Sequence, residues 1–447
     1  VCSAPCEPAC RRGDIDRPLA IRAMKRFLVE WHAASGIPDV APAITPRAER
    51  VAVIGAGPAG LSVARELAVK GYQVTVYDSL PYGGGTMLIG VPAFRLPREA
   101  IETDVRLIER LGVKFVYNTE IGRELTFEQV QAEHDAIAIC AGAMNAVALD
   151  IPGADLDGLV YGVDFMKDAN LGKPISVGKD VVVIGGGYTA MDCSRTSLRH
   201  GAERVTIAYR RTRAELVVDE EELGETEREG VRMDFLVSPL ELVGENGHIT
   251  GVRMIKNRLG EPDASGRRSP VPIEGSEFII PADTVIPAVS QAADLDFLPV
   301  QSSFEVARGR VKVDPATYAT NIRGVWACGD FVTGPATLIE AAGHAKKCAY
   351  AIDRYLAGQA TVTVDANVRV TSSWRHDMPE FYDTIPRQHI PVLPLSARLP
   401  SADPTVNFTT QVELGYGAQQ AVAESTRCLM CNYNIWFDPM RCVLCGA

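Results

Sequence analysis

Twice along this 447-residue chain, a run of β-branched residues leads into closely spaced glycines and then into a helical pattern. The first unit, VAVIGAGPAGLSVARELAVKGYQVTVYD, ends at Asp78, and the second, DVVVIGGGYTAMDCSRTSLRHGAERVTIAYRRTR, begins at Asp180. A strand, a glycine turn, a helix and a second strand in this order form the parallel crossover unit that binds dinucleotides. Two copies predict an α/β protein with two nested, Rossmann-like dinucleotide-binding domains.

The glycines of the first unit have separate physical tasks. Gly55 permits the tight turn, Gly57 lets the backbone approach a pyrophosphate, and Gly60 allows close packing of helix on strand. The helix N-terminus offers unpaired N–H groups to phosphate, and Asp78 can accept hydrogen bonds from ribose hydroxyls. The predicted contact residues are Gly55, Gly57, Pro58, Ala59, Gly60 and Asp78.

The second unit differs at the end of its second strand. There the chain reads Tyr209-Arg210-Arg211 where the first unit has an acid, and two guanidiniums can pair with a 2′-phosphate that a carboxylate would repel. This favours NADP(H), although the arginines are also explained as solvated surface charges, so NAD and NADP both stay open. The predicted contact residues are Gly185, Gly187, Tyr188, Thr189, Ala190, Arg210 and Arg211.

A third element, GVWACGDFVTGPATLIEAAG, decides which unit holds FAD. A strand ends at Gly329-Asp330, where the carboxylate suits a ribityl hydroxyl, and a helix begins near Thr337 and Leu338, where its N-terminus can stabilise negative charge on a reduced flavin. This segment returns to complete the first domain. We therefore expect an FAD-binding domain of residues 51–165 and 290–360, with an NAD(P)-binding domain of residues 166–289 inserted into it.

The cysteines crowd the two ends of the chain. Three cysteines spaced four residues apart stand at the beginning of the chain, and two CxxC pairs stand at its end: Cys2, Cys6, Cys10, Cys428, Cys431, Cys442 and Cys445. Paired CxxC units suit a [4Fe–4S] cluster or a structural zinc, and we favour iron and sulfur in an electron-transfer flavoprotein. The three N-terminal cysteines are one short of a full ligand set. The last CxxC stops where a ferredoxin-like run would place another cysteine, which suggests a fragment.

The ends also differ from the core in predicted structure. The pattern IRAMKRFLVEW predicts a helix within an N-terminal iron–sulfur segment of residues 1–50. Prolines are spaced through residues 361–447, and this pattern predicts an extended tail. The tail is expected to carry a short helix, GAQQAVAEST, and the start of a ferredoxin-like module.

Other titratable residues are assigned structural roles. Cys140, Cys193, Cys328 and Cys348 stand isolated in apolar sequence and are expected to be buried structural thiols. No CxxxxC lies beside the first glycine turn, which argues against a disulfide reductase of the glutathione reductase type. The run from Glu220 to Glu222 is expected to be a solvated face.

Composition excludes several classes of function. The formal net charge is −11 with scattered acids, which disfavours a nucleic acid partner. No apolar run reaches the roughly 20 residues of a membrane span, and the first residues lack the apolar core of a signal peptide, so we expect a cytoplasmic protein.

Several longer motifs together resemble one family. CSAPCEPACRRGDIDRPLAIRAMKRF, GAGPAGL, GGGTMLIGVPAFRLPREAIE, YRRTR and ACGDFVTGPATLIEA are similar to the glutamate synthase small-subunit family of FAD- and iron–sulfur-containing NAD(P)H oxidoreductases. The resemblance spans about residues 1–360 and implies that Gly84, Gly85 and Arg95 lie near the flavin. The tail ending RCLMC departs from the glutamate synthase type and is similar to that of stand-alone or complex-bound relatives in which a ferredoxin-like module follows the flavin domains.

Hydride transfer between NAD(P)H and FAD needs orientation and exclusion of water more than a protein base, so no catalytic side chain is predicted. We expect single electrons to pass by iron–sulfur clusters to or from a partner redox subunit. Two alternatives remain at this point: a glutamate synthase small subunit that serves a glutamine-dependent large subunit, and a non-catalytic flavin relay or scaffold.

Overall fold

The computed structural model describes residues 2–39, 42–263, 266–299, 304–360, 384–399 and 401–429. These residues form two compact units. Of the described residues, the larger unit takes those between 42 and 360 and those from 394 to 412, and the smaller unit takes 2–39, 384–393 and 413–429. Cys431, Cys442 and Cys445 lie outside the described residues.

The helices of the described residues are α1 (Ile21–Ser35), α2 (Pro58–Ala68), α3 (Thr86–Ile89), α4 (Arg98–Glu109), α5 (Phe127–Glu133), α6 (Gly162–Asn170), α7 (Tyr188–Arg199), α8 (Glu220–Arg228), α9 (Asp330–Thr333), α10 (Leu338–Leu356), α11 (Pro404–Thr409) and α12 (Ala418–Ser425). Within this part of the chain, every helix is too short or too polar to cross a lipid bilayer.

The first sheet of the larger unit is parallel and has five strands. Its strands are β1 (Arg50–Ile54), β2 (Gln73–Tyr77), β3 (Lys114–Val116), β4 (Ala136–Ile139) and β17 (Val325–Ala327). They lie in the order β17-β4-β1-β2-β3. The late strand β17 therefore returns to pair with β4, as the downstream segment predicted.

The second sheet is also parallel and contains the second glycine unit. It consists of β6 (Asp180–Ile184), β7 (Arg204–Tyr209), β8 (Arg232–Phe235) and β13 (Thr284–Pro287), in the order β13-β6-β7-β8. The strands before both glycine turns are buried along almost their whole length because helices cover both faces of such sheets. The α/β class with Rossmann-like sheets is thus confirmed.

A third sheet, which is antiparallel and was not predicted from the sequence, lies between β8 and β13 along the chain. It pairs β10 (His248–Pro262) with β9 (Val237–Glu245), β11 (Arg268–Pro272) and β12 (Phe278–Pro281). Two short pairs complete the strands: β5 (Asn145–Ala146) with β14 (Gln291–Ala292), and β15 (Val306–Ala307) with β16 (Arg310–Val311).

The predicted tail is partly folded. Helix α11 buries Phe408, whose ring meets that of Phe94 edge to face at 6.0 Å, and the Val412 amide donates to the Phe94 carbonyl at 3.0 Å. No periodicity in the proline-rich sequence signals this packing, because one aromatic and one aliphatic side chain carry it.

The smaller unit joins the two ends of the described chain. Helices α1 and α12 pack through a small apolar cluster that includes Ala20, Ala23 and Tyr416. Beside it the fully buried Arg427 pairs with the fully buried Glu424 at 2.6 Å and with Asp16 at 2.8 Å. The N-terminal helix and the short C-terminal helix predicted from sequence both form.

Candidate functional site

The first glycine turn requires glycine for two separate steric reasons. Gly55 has φ +102°, in the left-handed region, and a Cβ atom on it would overlap the carbonyl oxygen of Cys140. A Cβ atom on Gly60 would overlap the carbonyl oxygen of Gly55, because α2 begins directly against the end of β1. These contacts fix the start of α2 at the carboxyl edge of the first sheet.

A second loop closes over this turn. Gly84 donates its amide to the Ala56 carbonyl at 2.9 Å, and a Cβ atom on Gly85 would lie 2.7 Å from Cα of Gly57. Gly57 caps α2 with no side-chain hydrogen bond, so the first N–H groups of the helix stay available to an anion. Gly84 and Gly85, which the family resemblance placed near the flavin, thus lie against the turn predicted to bind FAD. The bare backbone on both sides fits a pyrophosphate.

Asp78 supports the same turn from the end of β2. Its carboxylate accepts the amides of Ala56 at 2.6 Å and of Leu80 at 2.8 Å. Burial raises the pKa of Asp78, while these two hydrogen bonds favour its charged form. Since a carboxylate offers about four acceptor positions, capacity remains for ribose hydroxyls.

The returning segment brings Asp330 and Thr337 to this end of the larger unit. Gly329 has φ +70°, and a Cβ atom on it would lie 2.8 Å from Cβ of Ala59, so Asp330 starts next to α2. Burial raises the pKa of Asp330 to about 6. Thr337 caps α10, which begins at Leu338, in a reciprocal capping box with Glu340.

The second glycine turn has a similar backbone but an open approach. Gly185 has φ +153°, and its Cβ position would lie 2.5 Å from the Ala288 carbonyl oxygen. Ala190 stands at the third position of this turn, where the first turn has Gly60. No described atom lies within 4 Å of a Cβ placed on Gly187. The residues from Tyr188 to Ala190 form the first helical turn of α7.

The structure separates the two arginines after β7. Arg210 is exposed, whereas the side chain of Arg211 is 4% exposed, pairs with Asp263 at 2.7 Å and donates to the Arg268 carbonyl at 2.7 Å. Arg210 is therefore the member of the pair that faces solvent. Its role and that of Arg211 in binding a 2′-phosphate stay predictions.

Arg95 lies between acids of the second half of the larger unit. Its guanidinium pairs with Asp192 of α7 at 2.7 Å and with Glu222 of α8 at 2.9 Å, and it lies 5.6 Å from the ring centre of Tyr188. Burial raises the pKa of Asp192 to about 6 against the opposing pull of Arg95. The segment between α3 and α4 is thus tied to the helix that starts at the second turn.

The expectation of a solvated acidic face is wrong for Glu222. Its side chain is 11% exposed and also pairs with Arg195 at 2.6 Å. The neighbouring Glu220, 74% exposed, does lie in solvent and meets Arg213. Helical phase explains the difference, since residues two apart on a helix point to different sides.

A buried charge cluster extends from there. Glu229 accepts Arg195 at 2.8 Å, Arg199 at 2.7 Å and Arg398 at 3.0 Å, and the guanidinium of Arg199 stacks 3.7 Å from the ring centre of Phe94. Burial alone would raise the pKa of Glu229, but the guanidiniums of Arg199 and Arg195 lower it to about 2. No motif in the sequence predicted this cluster. Arginines on α7 spaced by four were the one available signal.

The cysteines divide into two groups. Cys140, Cys193, Cys328 and Cys348 are buried as predicted, but three of them are not isolated, since Cys140, Cys328 and Cys348 meet in one place. Among the described residues, no three His, Cys, Asp or Glu side chains are arranged to hold a metal ion. Metal ligation by Cys2, Cys6, Cys10 and Cys428 therefore stays a prediction.

Comparison with known proteins agrees with this geometry. A model of the pyridine nucleotide-disulphide oxidoreductase family matches residues 49–345. FprA from Mycobacterium tuberculosis in complex with NADPH shares the fold at a TM-score of 0.61 and 19% identity, over 70% of this chain and 85% of FprA.

Two relatives are similar in sequence. The NADP(+)-dependent formate dehydrogenase subunit beta of Moorella thermoacetica is 41% identical over 96% of this chain, which spans 64% of that subunit. The glutamate synthase [NADPH] small chain of Escherichia coli strain K12 is 32% identical over 78% of this chain and 78% of its own length. The predicted relationship is therefore confirmed: the chain is an oxidoreductase that belongs to the pyridine nucleotide-disulphide oxidoreductase family, in the group of the glutamate synthase small chains.

Proposed function

We propose that this chain is the electron-entry subunit of a larger redox complex, in which it transfers hydride between NAD(P)H and FAD. The observation that carries the proposal is the inequality of the two glycine turns, one enclosed by the Gly84–Gly85 loop and one open at Gly187. The enclosed turn suits a retained FAD, and the open turn suits a nucleotide that exchanges in every catalytic cycle. The predicted bounds of the two domains fit this division and remain part of the proposal.

FAD would supply the capacity to accept a hydride and to release its electrons singly. In the chain itself, Gly57 and the start of α2 would hold the pyrophosphate, Asp78 the adenosine ribose, and Asp330 the ribityl chain. The N-terminus of α10 at Thr337 and Leu338 would favour negative charge near the flavin ring. The protein itself would bind and orient the two cofactors and exclude water, and no side chain would need to act as an acid or a base.

For NAD(P)H, Gly185, Gly187 and the first turn of α7 would hold the pyrophosphate, and Arg210 would face the adenosine ribose. Arg95 would link the two sites, because it lies between α3 and α4, in the segment that follows the Gly84–Gly85 loop, and pairs with Asp192 and Glu222 in the second half. This ion pair would keep the nicotinamide and the flavin in a fixed relation.

Electron exit would use [4Fe–4S] clusters, which carry one electron at a time. In the smaller unit, Arg12 donates to the carbonyl of Arg427 at 3.4 Å, and this carbonyl directly precedes Cys428. The N-terminal cysteine segment and Cys428 thus belong to one compact unit, which makes Cys428 our candidate for the fourth ligand beside Cys2, Cys6 and Cys10. A cluster at that place would explain why the three N-terminal cysteines are one short.

The extent of the match favours one class of partner over another. The formate dehydrogenase subunit beta aligns with 96% of this chain, including the C-terminal segment, whereas the glutamate synthase small chain aligns with 78%. We therefore favour a dehydrogenase-type partner over a glutamine-dependent large subunit. Co-purification with a glutamine-dependent amidotransferase would reverse this preference.

The test uses two matched substitutions. Gly57 and Gly187 both have φ values open to any residue, and a Cβ atom would meet only Cα of Gly85 at 3.8 Å at the first and no described atom within 4 Å at the second. Gly57→Ala should therefore fold but lose FAD, and Gly187→Ala should keep FAD but bind NAD(P)H about tenfold more weakly, since the methyl group would occupy the pyrophosphate's place.

The readouts are flavin content after purification and bleaching of the flavin absorbance when NADPH or NADH is added without oxygen. Gly343→Ala in α10 and Gly224→Ala in α8 are controls, because a Cβ atom at either position meets nothing within 4 Å in the described residues. FAD-replete wild-type protein that neither bleaches nor reduces an artificial acceptor would support the relay or scaffold alternative instead.

A further inference from the structure

Three thiols that are far apart in the sequence meet behind the first glycine turn. Cys140 directly follows β4, Cys328 directly follows β17, and Cys348 lies in α10. Their exposed fractions are 4%, 0% and 0%. The Sγ atoms of Cys140 and Cys328 are 3.5 Å apart, and Cys348 also bonds to Cys328.

The backbone places the first two thiols in register. Strands β4 and β17 are parallel neighbours with Ile139 opposite Ala327, so Cys140 and Cys328 occupy the next matched positions and enter the same apolar cluster. Neighbouring strands lie about 4.8 Å apart, inside the roughly 4.4–6.8 Å between Cα atoms that a disulfide needs. Rotation of the two side chains would therefore suffice to join them.

Cys328 is the central thiol of the three, because Cys140 and Cys348 both hydrogen-bond to it. These hydrogen bonds and the nearby His344 lower the pKa of Cys328 against the effect of burial. His344 lies 5.1 Å from the ring of Tyr318, and its Nδ1 has no hydrogen-bond partner among the described residues. A thiolate is the reactive form of cysteine toward peroxides.

We propose that Cys328 and Cys140 form a peroxide-sensitive dithiol site beneath the first glycine turn. The Cys328 thiolate attacks a hydroperoxide, which breaks the O–O bond, gives a sulfenic acid and releases hydroxide or an alkoxide. The Cys140 thiol then attacks the sulfenic sulfur, forms the disulfide and releases water. The two thiols lose two electrons in total, the peroxide gains them, and the thiol proton leaves with the water.

The consequence falls on the candidate FAD site, because Cys328 precedes Gly329 and the carbonyl oxygen of Cys140 lies only 2.4 Å from the position that a Cβ atom on Gly55 would take. A disulfide would tie β4 to β17 at the edge where both segments reach the turn. Cys348 also hydrogen-bonds to the sulfur of Cys328, so its thiol is the second one able to react with the sulfenic acid and form a disulfide. This inference stands apart from the proposed function, since it needs no hydride transfer.

Cys193 is an internal control of matched burial. It is 0% exposed in α7, and its thiol donates to the carbonyl of Gly162 at 3.7 Å. Burial alone would make Cys193 and Cys328 equally inert.

The test treats the reduced, folded chain with hydrogen peroxide, blocks free thiols under denaturing conditions and maps disulfides by mass spectrometry. We expect a peptide pair joining Cys140 to Cys328, at about tenfold the yield of any disulfide that contains Cys193. Cys140→Ala should shift the product to a Cys328–Cys348 disulfide, while Cys193→Ala should leave the pattern unchanged.

Thiols of Cys140 and Cys328 that stay fully free at peroxide doses that oxidise Cys2, Cys6 or Cys10 would overturn the proposal. Equal yields for pairs with Cys193 would also overturn it, since they would show unfolding and random pairing. The wild-type measurement decides the matter even if the variants fail to fold.

Discussion

The two glycine turns share a backbone plan and differ in what surrounds them. At the first turn, Gly57 faces Gly85 across a second loop and Gly60 touches the carbonyl of Gly55. At the second turn, nothing in the described chain approaches a Cβ position on Gly187, and alanine occupies the place equivalent to Gly60. Under the proposed function, the enclosed turn would hold the retained ligand and the open turn the exchanging one.

The ion pair that joins the two halves carries the largest expected effect. Arg95→Met would leave the buried carboxylates of Asp192 and Glu222 without their shared partner, which should lower the free energy of unfolding by about 4 kcal/mol. Urea denaturation measures this change, with the exposed Arg65→Met in α2 as control. A loss as small as that of the control would mean that the halves are held together by other contacts.

The third position of each turn gives a reciprocal pair of substitutions. Gly60→Ala forces a methyl group into the Gly55 carbonyl and should cost about 3 kcal/mol. Ala190→Gly only removes a methyl group from the first turn of a helix and should cost about 1 kcal/mol. Thermal unfolding of both variants compares the two turns directly, and equal costs would contradict the enclosure of the first.

Substitution of Arg210 tests the proposal that NADPH binds at the open turn. Arg210→Ala should raise KM for NADPH about tenfold and leave KM for NADH nearly unchanged, because a charge-assisted bond to the 2′-phosphate is worth roughly 1.5 kcal/mol or more. Steady-state kinetics with both nucleotides measure the effect, and the exposed Arg258→Ala on β10 is the control. A parallel change for both nucleotides would show that Arg210 does not read the phosphate.

The smallest expected effect is on the pH dependence of stability and comes from Asp330, which starts next to the helix of the enclosed turn. Its folded-state pKa of about 6 is raised above the ordinary 3.8 by burial, so the folded state binds the proton more tightly. Stability of the FAD-free protein should therefore fall as pH rises from 3.8 to about 6 and then level off.

Asp330→Asn should remove that slope and stabilise the FAD-free protein near neutral pH by on the order of 1 kcal/mol, after allowance for solvent screening. Denaturation across this pH window measures it, with the exposed Asp157→Asn as control. An unchanged slope in Asp330→Asn would assign the pH dependence to other groups.

Local features of the site could be predicted from sequence because neighbouring residues determine them. Gly55 and Gly185 require left-handed backbone directly after a strand, and Thr337 with Glu340 three residues later signals a helix start. The backbone conformation at these positions does not depend on how distant parts of the chain pack.

Long-range features could not be predicted in this way. Cys140 and Cys328 are 188 residues apart and meet only because β17 pairs with β4. Glu222 looked solvated because its neighbours are acidic, yet its environment depends on an arginine from another segment. Burial of Phe408 likewise depends on Phe94, and no local pattern records either partner.

The return of β17 also has a consequence for synthesis on the ribosome. The sheet that contains β13 has all four of its strands once the chain has been made to Pro287, whereas the first sheet lacks its edge strand until Ala327 has emerged. Domains generally fold as units during translation. The later part of the sequence can therefore reach its native form first, while the earlier part waits with one edge of its sheet open for its last strand.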